Sequence, residues 1–91
     1  MVHRTFEWDT AKAASNFQKH GIDFNFAIAA FDDPLSVDEI DGFGDYGEER
    51  SKLVGMAGGI VLAIIYTERG ERTRLISARR AARKETDDYY R

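Results

Sequence analysis

Residues 69–84, RGERTRLISARRAARK, hold seven of the thirteen Lys and Arg residues of a 91-residue chain whose formal net charge is −3. Arg guanidinium forks grip phosphate bidentately and stack on bases. Cleavage of RNA by phosphoryl transfer needs a base for the 2′-OH, cations for the pentavalent transition state and an acid for the leaving oxygen. The side chains in and just before this stretch could fill those roles: Arg74, Arg79 and Arg80 for charge, Glu68 and Tyr66 for protons. Arg72, Arg83 and Lys84 extend the basic surface, and Trp8 could offer a stacking platform, although a core position suits Trp8 better.

Other chemistries find less support. The chain has no cysteine, which excludes disulfides, thiolate nucleophiles and cysteine-ligated zinc. Asp38, Glu39, Asp41 and Asp45 match no calcium-loop spacing. They read as a solvated loop, and no metal or cofactor is expected. His20, in KHG, suits a helix end, where a cation favours the dipole and caps carbonyls. His3 lies near a terminus and carries no information. There is no signal-peptide pattern and no apolar run near 18 residues, so a cytoplasmic protein is the default expectation.

Elements that would position these side chains are legible from periodicity. Thr5–Trp8 reads as a strand. Asp9 reads as an N-cap and Gly21 as a C′ stop, bounding a helix over 10–20. Asp23 caps a second helix that Pro34 ends, with Phe24, Ala27, Ile28 and Phe31 on one stripe. The two helices are expected to form a hairpin. LSVDEI (35–40), SKLVGMA (51–57), IVLAIIYTE (60–68) and RTRLIS (72–77) read as strands, with an acidic Gly-rich loop over 41–49 and turns at Gly58-Gly59 and RGE. From about Arg79 to Tyr90 the pattern turns helical. The order β-α-α-β-β-β-β-α predicts one α+β domain over 1–91, an antiparallel sheet with two N-terminal helices packed on it and a C-terminal helix.

Two features single out the basic stretch. Residues 1–68 carry 5 basic and 12 acidic side chains, whereas 69–91 carry 8 and 4. A helix starting at Arg79 would also crowd Arg79, Arg80, Arg83 and Lys84 at its positive end. The pairs Arg79–Arg83 and Arg80–Lys84 would repel by roughly 0.2–0.5 kcal/mol each. An anion site at that helix start and a solvated basic surface helix are the two readings. The hairpin register of 60–77 stays open. If Glu68 faces Arg72, then Tyr66 faces Arg74 and an Arg–Glu–Tyr group forms; a slip of one residue separates them.

FEWD (6–9), NFQKHGIDF (16–24), FDDP (31–34), GEER (47–50), YTERG (66–70) and RLISARRA (74–81) resemble the BrnT toxins along nearly the whole chain. The resemblance implies a RelE-like fold and a toxin of a type II toxin–antitoxin system. It further implies an endoribonuclease that inhibits translation and growth, and a BrnA-like antitoxin whose DNA-binding domain carries the complex to operator DNA. Through YTERG and RLISARRA it points to Glu68, Arg69, Arg74, Arg79 and Arg80, without naming a general base. Reliance on Arg suits cleavage without metal. The low pI of 5.3 departs from this pattern, because RNA affinity rests on phosphate neutralisation. The competing expectation is a non-catalytic module whose Arg cluster binds an acidic segment or nucleic acid.

Overall fold

A computed structural model describes residues 4–44 and 47–91, so the expectations for His3 and Asp45 fall outside the described residues. The elements run β1 (Thr5–Glu7), α1 (Thr10–His20), α2 (Phe24–Ala27), β2 (Val37–Phe43), β3 (Glu49–Ala57), β4 (Ile60–Arg69), β5 (Arg72–Arg80) and α3 (Arg83–Tyr89). The class is α+β, in the order read from periodicity. The five strands lie in the order β1-β5-β4-β3-β2.

Three expectations are corrected. The sheet is mixed, because β1 pairs parallel with β5, Phe6 opposite Thr73. Hairpin links determine the direction of β2 to β5 only; β1 reaches β5 from the far end of the chain. The second helix makes one α-turn and continues as a 3-10 turn over Ile28–Asp32, lying on β3. Both helical segments pack on the sheet more than on each other, so the expected hairpin is loose. The largest correction concerns Arg79 and Arg80. They belong to β5, paired with Ala63 and Leu62, and Ala81 donates its N–H to the Val61 carbonyl. β4 is ten residues long, and its backbone groups near Leu62 are satisfied only if β5 runs that far. The local pattern ARRAARK is compatible with a helix, and the strand pairing overrides it.

The caps are as read. Asp9 accepts from the Lys12 N–H and Asp23 from the Asn25 N–H. Gly21 ends α1 in the left-handed region at φ 72. On the side of the sheet covered by α1 and α2, Phe24, Leu62, Ile64 and Leu75 are the largest fully buried side chains. Each contributes about 1.5–3 kcal/mol relative to exposure. Phe31 sits between Phe6 and Tyr66, with ring centroids 5.0 and 5.1 Å away. A Cβ at Gly55 would lie 2.8 Å from the Ala30 carbonyl oxygen, so glycine permits the 3-10 turn to rest directly on β3. Beyond the reach of β1, the edge of β5 is covered by Asn16. Its carboxamide accepts from the Ala78 N–H (3.1 Å) and donates to the Ala78 carbonyl (2.9 Å) and the Ile22 carbonyl (3.1 Å). The opposite side of the sheet is covered at one end only, where Tyr89 of α3 packs on Val54 and Ala63.

Candidate nucleic-acid interface

Residues directly opposite each other on antiparallel strands project to the same face. Arg69 pairs with Arg72, Thr67 with Arg74 and Ala63 with Arg79. Since Ala63 lies under α3, Arg69, Arg72, Arg74 and Arg79 all stand on the face away from α1 and α2. Arg74 and Arg79 are five residues apart and would face opposite ways in a regular strand. The register shift between Ile65 and Tyr66, where Leu75 faces Tyr66 and Ser77 faces Ile65, leaves Ile76 as an extra residue. That bulge changes the parity of β5 and puts both Arg residues on one face. Lys52, opposite Ile65, and Arg50, two residues before it, join them from β3.

Carboxylates hold this array in place. Glu7 takes Arg74 at 2.7 Å and Arg72 at 3.5 Å. Glu48 takes Arg69 at 3.4 Å. Glu85 receives the Arg79 fork bidentately, at 2.7 and 3.0 Å, and Lys52 at 2.9 Å. It also accepts from the Ala82 N–H, so one side chain caps α3 and orients two cations. The Arg79 guanidinium, aided by Lys52 and the Ala82 N–H, holds the Glu85 carboxyl down to about 2 against the effect of burial. Glu85 in turn raises Arg79 and Lys52. The Arg74 guanidinium likewise lowers Glu7. Arg50 Nε is buried without a hydrogen-bond partner among the described residues.

The structure separates the residues read as one group. The turn is Gly70-Glu71, so Glu68 faces Thr73 and Tyr66 faces Leu75. Tyr66 and Glu68 therefore lie on the helix side, away from the Arg face. Burial, then its hydrogen bond to Asp38 (2.5 Å), pushes the Tyr66 phenol up to about 12. Glu68 meets Arg4 at 3.2 Å, and the Arg4 guanidinium lies 5.0 Å from the centre of the Phe31 ring. Arg80, opposite Leu62, also projects to the helix side. Trp8, half-buried, packs edge-on to Phe24 at 5.7 Å, against the core. Arg83 and Lys84 are exposed on α3, where Lys84 meets Asp88 at 3.8 Å. With Arg79 and Arg80 in β5, α3 has Glu85 in its first turn, and the expected crowd of four cations at a helix start does not form.

Arg4, Glu7, Arg50, Lys52 and Glu85 were not singled out from the sequence. The alternation of Arg50 and Lys52 with Leu53 behind them, and Glu85 three residues after Ala82, are the signals that could have found three of them.

No helix among the described residues is long and apolar enough to cross a membrane, and no group of three or more metal-ligating His, Asp or Glu side chains forms among them. Together, fold and site define a small α+β protein with a cation-rich open sheet face. Residues 8–85 match the family described as ribonuclease toxin, BrnT, of type II toxin–antitoxin system, and the chain belongs to that family. Membership makes it a ribonuclease toxin with RNA as substrate class and an antitoxin as partner. No curated protein matches the chain.

Proposed function

We propose that the chain is an endoribonuclease that binds and cuts RNA on the open face of the sheet, without a metal ion. The observation that carries this reading is the bulge in β5, which gathers Arg74 and Arg79 with Arg69 and Arg72 on one face. Phosphates of an RNA strand exchange for the carboxylates that now hold these forks. Arg74 and Arg79 stabilise the charge that builds on the phosphoryl oxygens as the 2′-oxygen attacks phosphorus and the bond to the 5′-oxygen breaks, the leaving oxygen taking its proton from solvent water. Glu7, released as phosphate engages Arg72 and Arg74, is the carboxylate on this face placed to take the 2′-OH proton. Tyr66, Glu68 and Arg80, on the other side, support the fold and the rim in this reading, and Arg83 and Lys84 widen the basic surface beside α3.

We read the arrangement as a RelE-like toxin in a single domain over 1–91. Its cleavage of RNA inhibits translation and growth, and a BrnA-like antitoxin with a DNA-binding domain neutralises it and carries it to the operator. A second reading, a non-catalytic module, draws on the pairing of Arg69, Arg72, Arg74 and Arg79 with carboxylates in the free protein. Growth arrest separates the two.

The test is cleavage of RNA by purified protein with a chelator present, at two salt concentrations. Arg74→Ala with Arg79→Ala should lower the rate by about 100-fold or more and flatten the salt dependence of binding. Arg80→Ala should cut at nearly the wild-type rate. An Arg80→Ala protein as impaired as the double variant would move the site off this face.

A further inference from the structure

Residues 32–49 contain eight carboxylates, Asp32, Asp33, Asp38, Glu39, Asp41, Asp45, Glu48 and Glu49, and no Lys, Arg or His. The described part of this segment includes β2, the terminal strand of the sheet, paired with β3 on one side only. A lone edge strand is ordinarily kept polar, yet β2 exposes Ile40 by 65% and Phe43 by 71%. Ile40 lies opposite Ser51 and Phe43 opposite Glu49, and Ser51 pairs with Tyr66. The two apolar side chains thus share the helix-side face, beyond the cover of the helices. Asp38 stands in the same row, and Asp41 occupies the bulge between Ile40 and Gly42.

We propose that the outer edge of β2 is a docking site for an extended segment of a partner protein in which Lys or Arg residues alternate with apolar ones. An added strand would satisfy the free backbone groups of β2. On one face its apolar side chains would cover Ile40 and Phe43, and on the other its cations would meet Glu39 and Asp41. Charge selects this occupant over a second copy of the chain. Pairing β2 with β2 would set carboxylate rows against each other, a repulsion that protects the edge from self-association. RNA is repelled by the same carboxylates. The antitoxin that the family requires is the natural source of such a segment. The inference uses only that requirement and does not depend on where RNA is cut.

The probe is a short blocked peptide alternating Lys or Arg with Ile or Val, beside a control in which Glu replaces each basic residue. Amide hydrogen exchange and backbone chemical shifts of the full chain are followed on titration. The basic peptide is expected to slow exchange and shift signals at 37–43, to weaken with salt, and to exceed the Glu control by at least about tenfold in affinity. Ile40→Ser with Phe43→Ser should lose about tenfold in affinity, as should the charge-only variant Glu39→Gln with Asp41→Asn. Both side-chain sets are exposed, and unchanged thermal unfolding would confirm intact folds. Equal binding of the two peptides, shifts confined to the Arg face, or undiminished binding by both variants would overturn the proposal. So would a dimer in sedimentation that the Ile40→Ser/Phe43→Ser variant abolishes, since the edge would then serve self-association. RNA cleavage by that variant should match wild type, which keeps failure here distinct from failure of the nuclease reading.

Discussion

The two faces of the sheet are built from different interactions. On the helix side, Phe24, Leu62, Ile64 and Leu75 leave water almost completely, and their burial is sensitive to every methylene removed. On the open side the paired charges keep partial contact with solvent, as in Arg79 at 37% and Arg74 at 29% side-chain exposure. Pairs of this kind contribute about 0–1 kcal/mol each. One face therefore holds the fold and the other holds charge in reserve. Because the open-face pairs contribute little to stability, the proposed exchange of their carboxylates for phosphate would leave the fold intact. The low pI has the same explanation: acidic residues neutralise the Arg face in the free state and populate the β2 edge.

This contrast can be broken most strongly at Phe24. Phe24→Ala should cost about 3–5 kcal/mol in urea unfolding, while the Arg74/Arg79 replacements described above should leave unfolding within about 1 kcal/mol of wild type. Equal losses would mean that the open face is part of the core. Next in size is Asn16→Leu. It leaves the Ala78 N–H and carbonyl at the β5 edge without partners and should cost about 1–3 kcal/mol, with faster amide exchange at Ala78.

Glu85→Gln sharpens the comparison through pH. Glu85 titrates at about 2 in the folded protein against an ordinary 4.5. Its stabilisation is thus fully present above pH 4.5 and is lost as pH falls toward 2. The Gln variant should lose on the order of 1 kcal/mol at neutral pH and show a flatter acid limb in thermal unfolding; an unchanged limb would remove Glu85 as the holder of Arg79. The smallest effect is expected at Tyr66→Phe, about 0.5–1.5 kcal/mol from the lost bond to Asp38, with RNA cleavage unaffected. A large loss of cleavage there would place the chemistry on the helix side.

Much of the local structure was legible. Asp9 and Asp23 as caps, Gly21 as a stop and Gly58-Gly59 as a turn were readable because each acts through its immediate neighbours. The alternation of Arg72 and Arg74 against Thr73 and Leu75 was readable for the same reason. What misled was ARRAARK, where Ala and Arg favour a helix and the length of β4 demands a strand. Glu7 and Glu48 were missed as partners because nothing local distinguishes a carboxylate that meets Arg74 or Arg69 from one in water.

The sequence by itself determined the kinds of elements, their order, the concentration of Arg residues in 69–84 and, through its motifs, the family. Only the tertiary structure decided which Arg residues share a face. Side-chain direction within a strand has a period of two and is local. The Gly70-Glu71 turn, the bulge at Ile76 and the parallel docking of β1 set the register between strands, and a shift of one residue reverses every face. That is why Arg79 and Arg80, adjacent in the chain, end on opposite sides of the sheet, while Arg74 and Arg79, five residues apart, stand together.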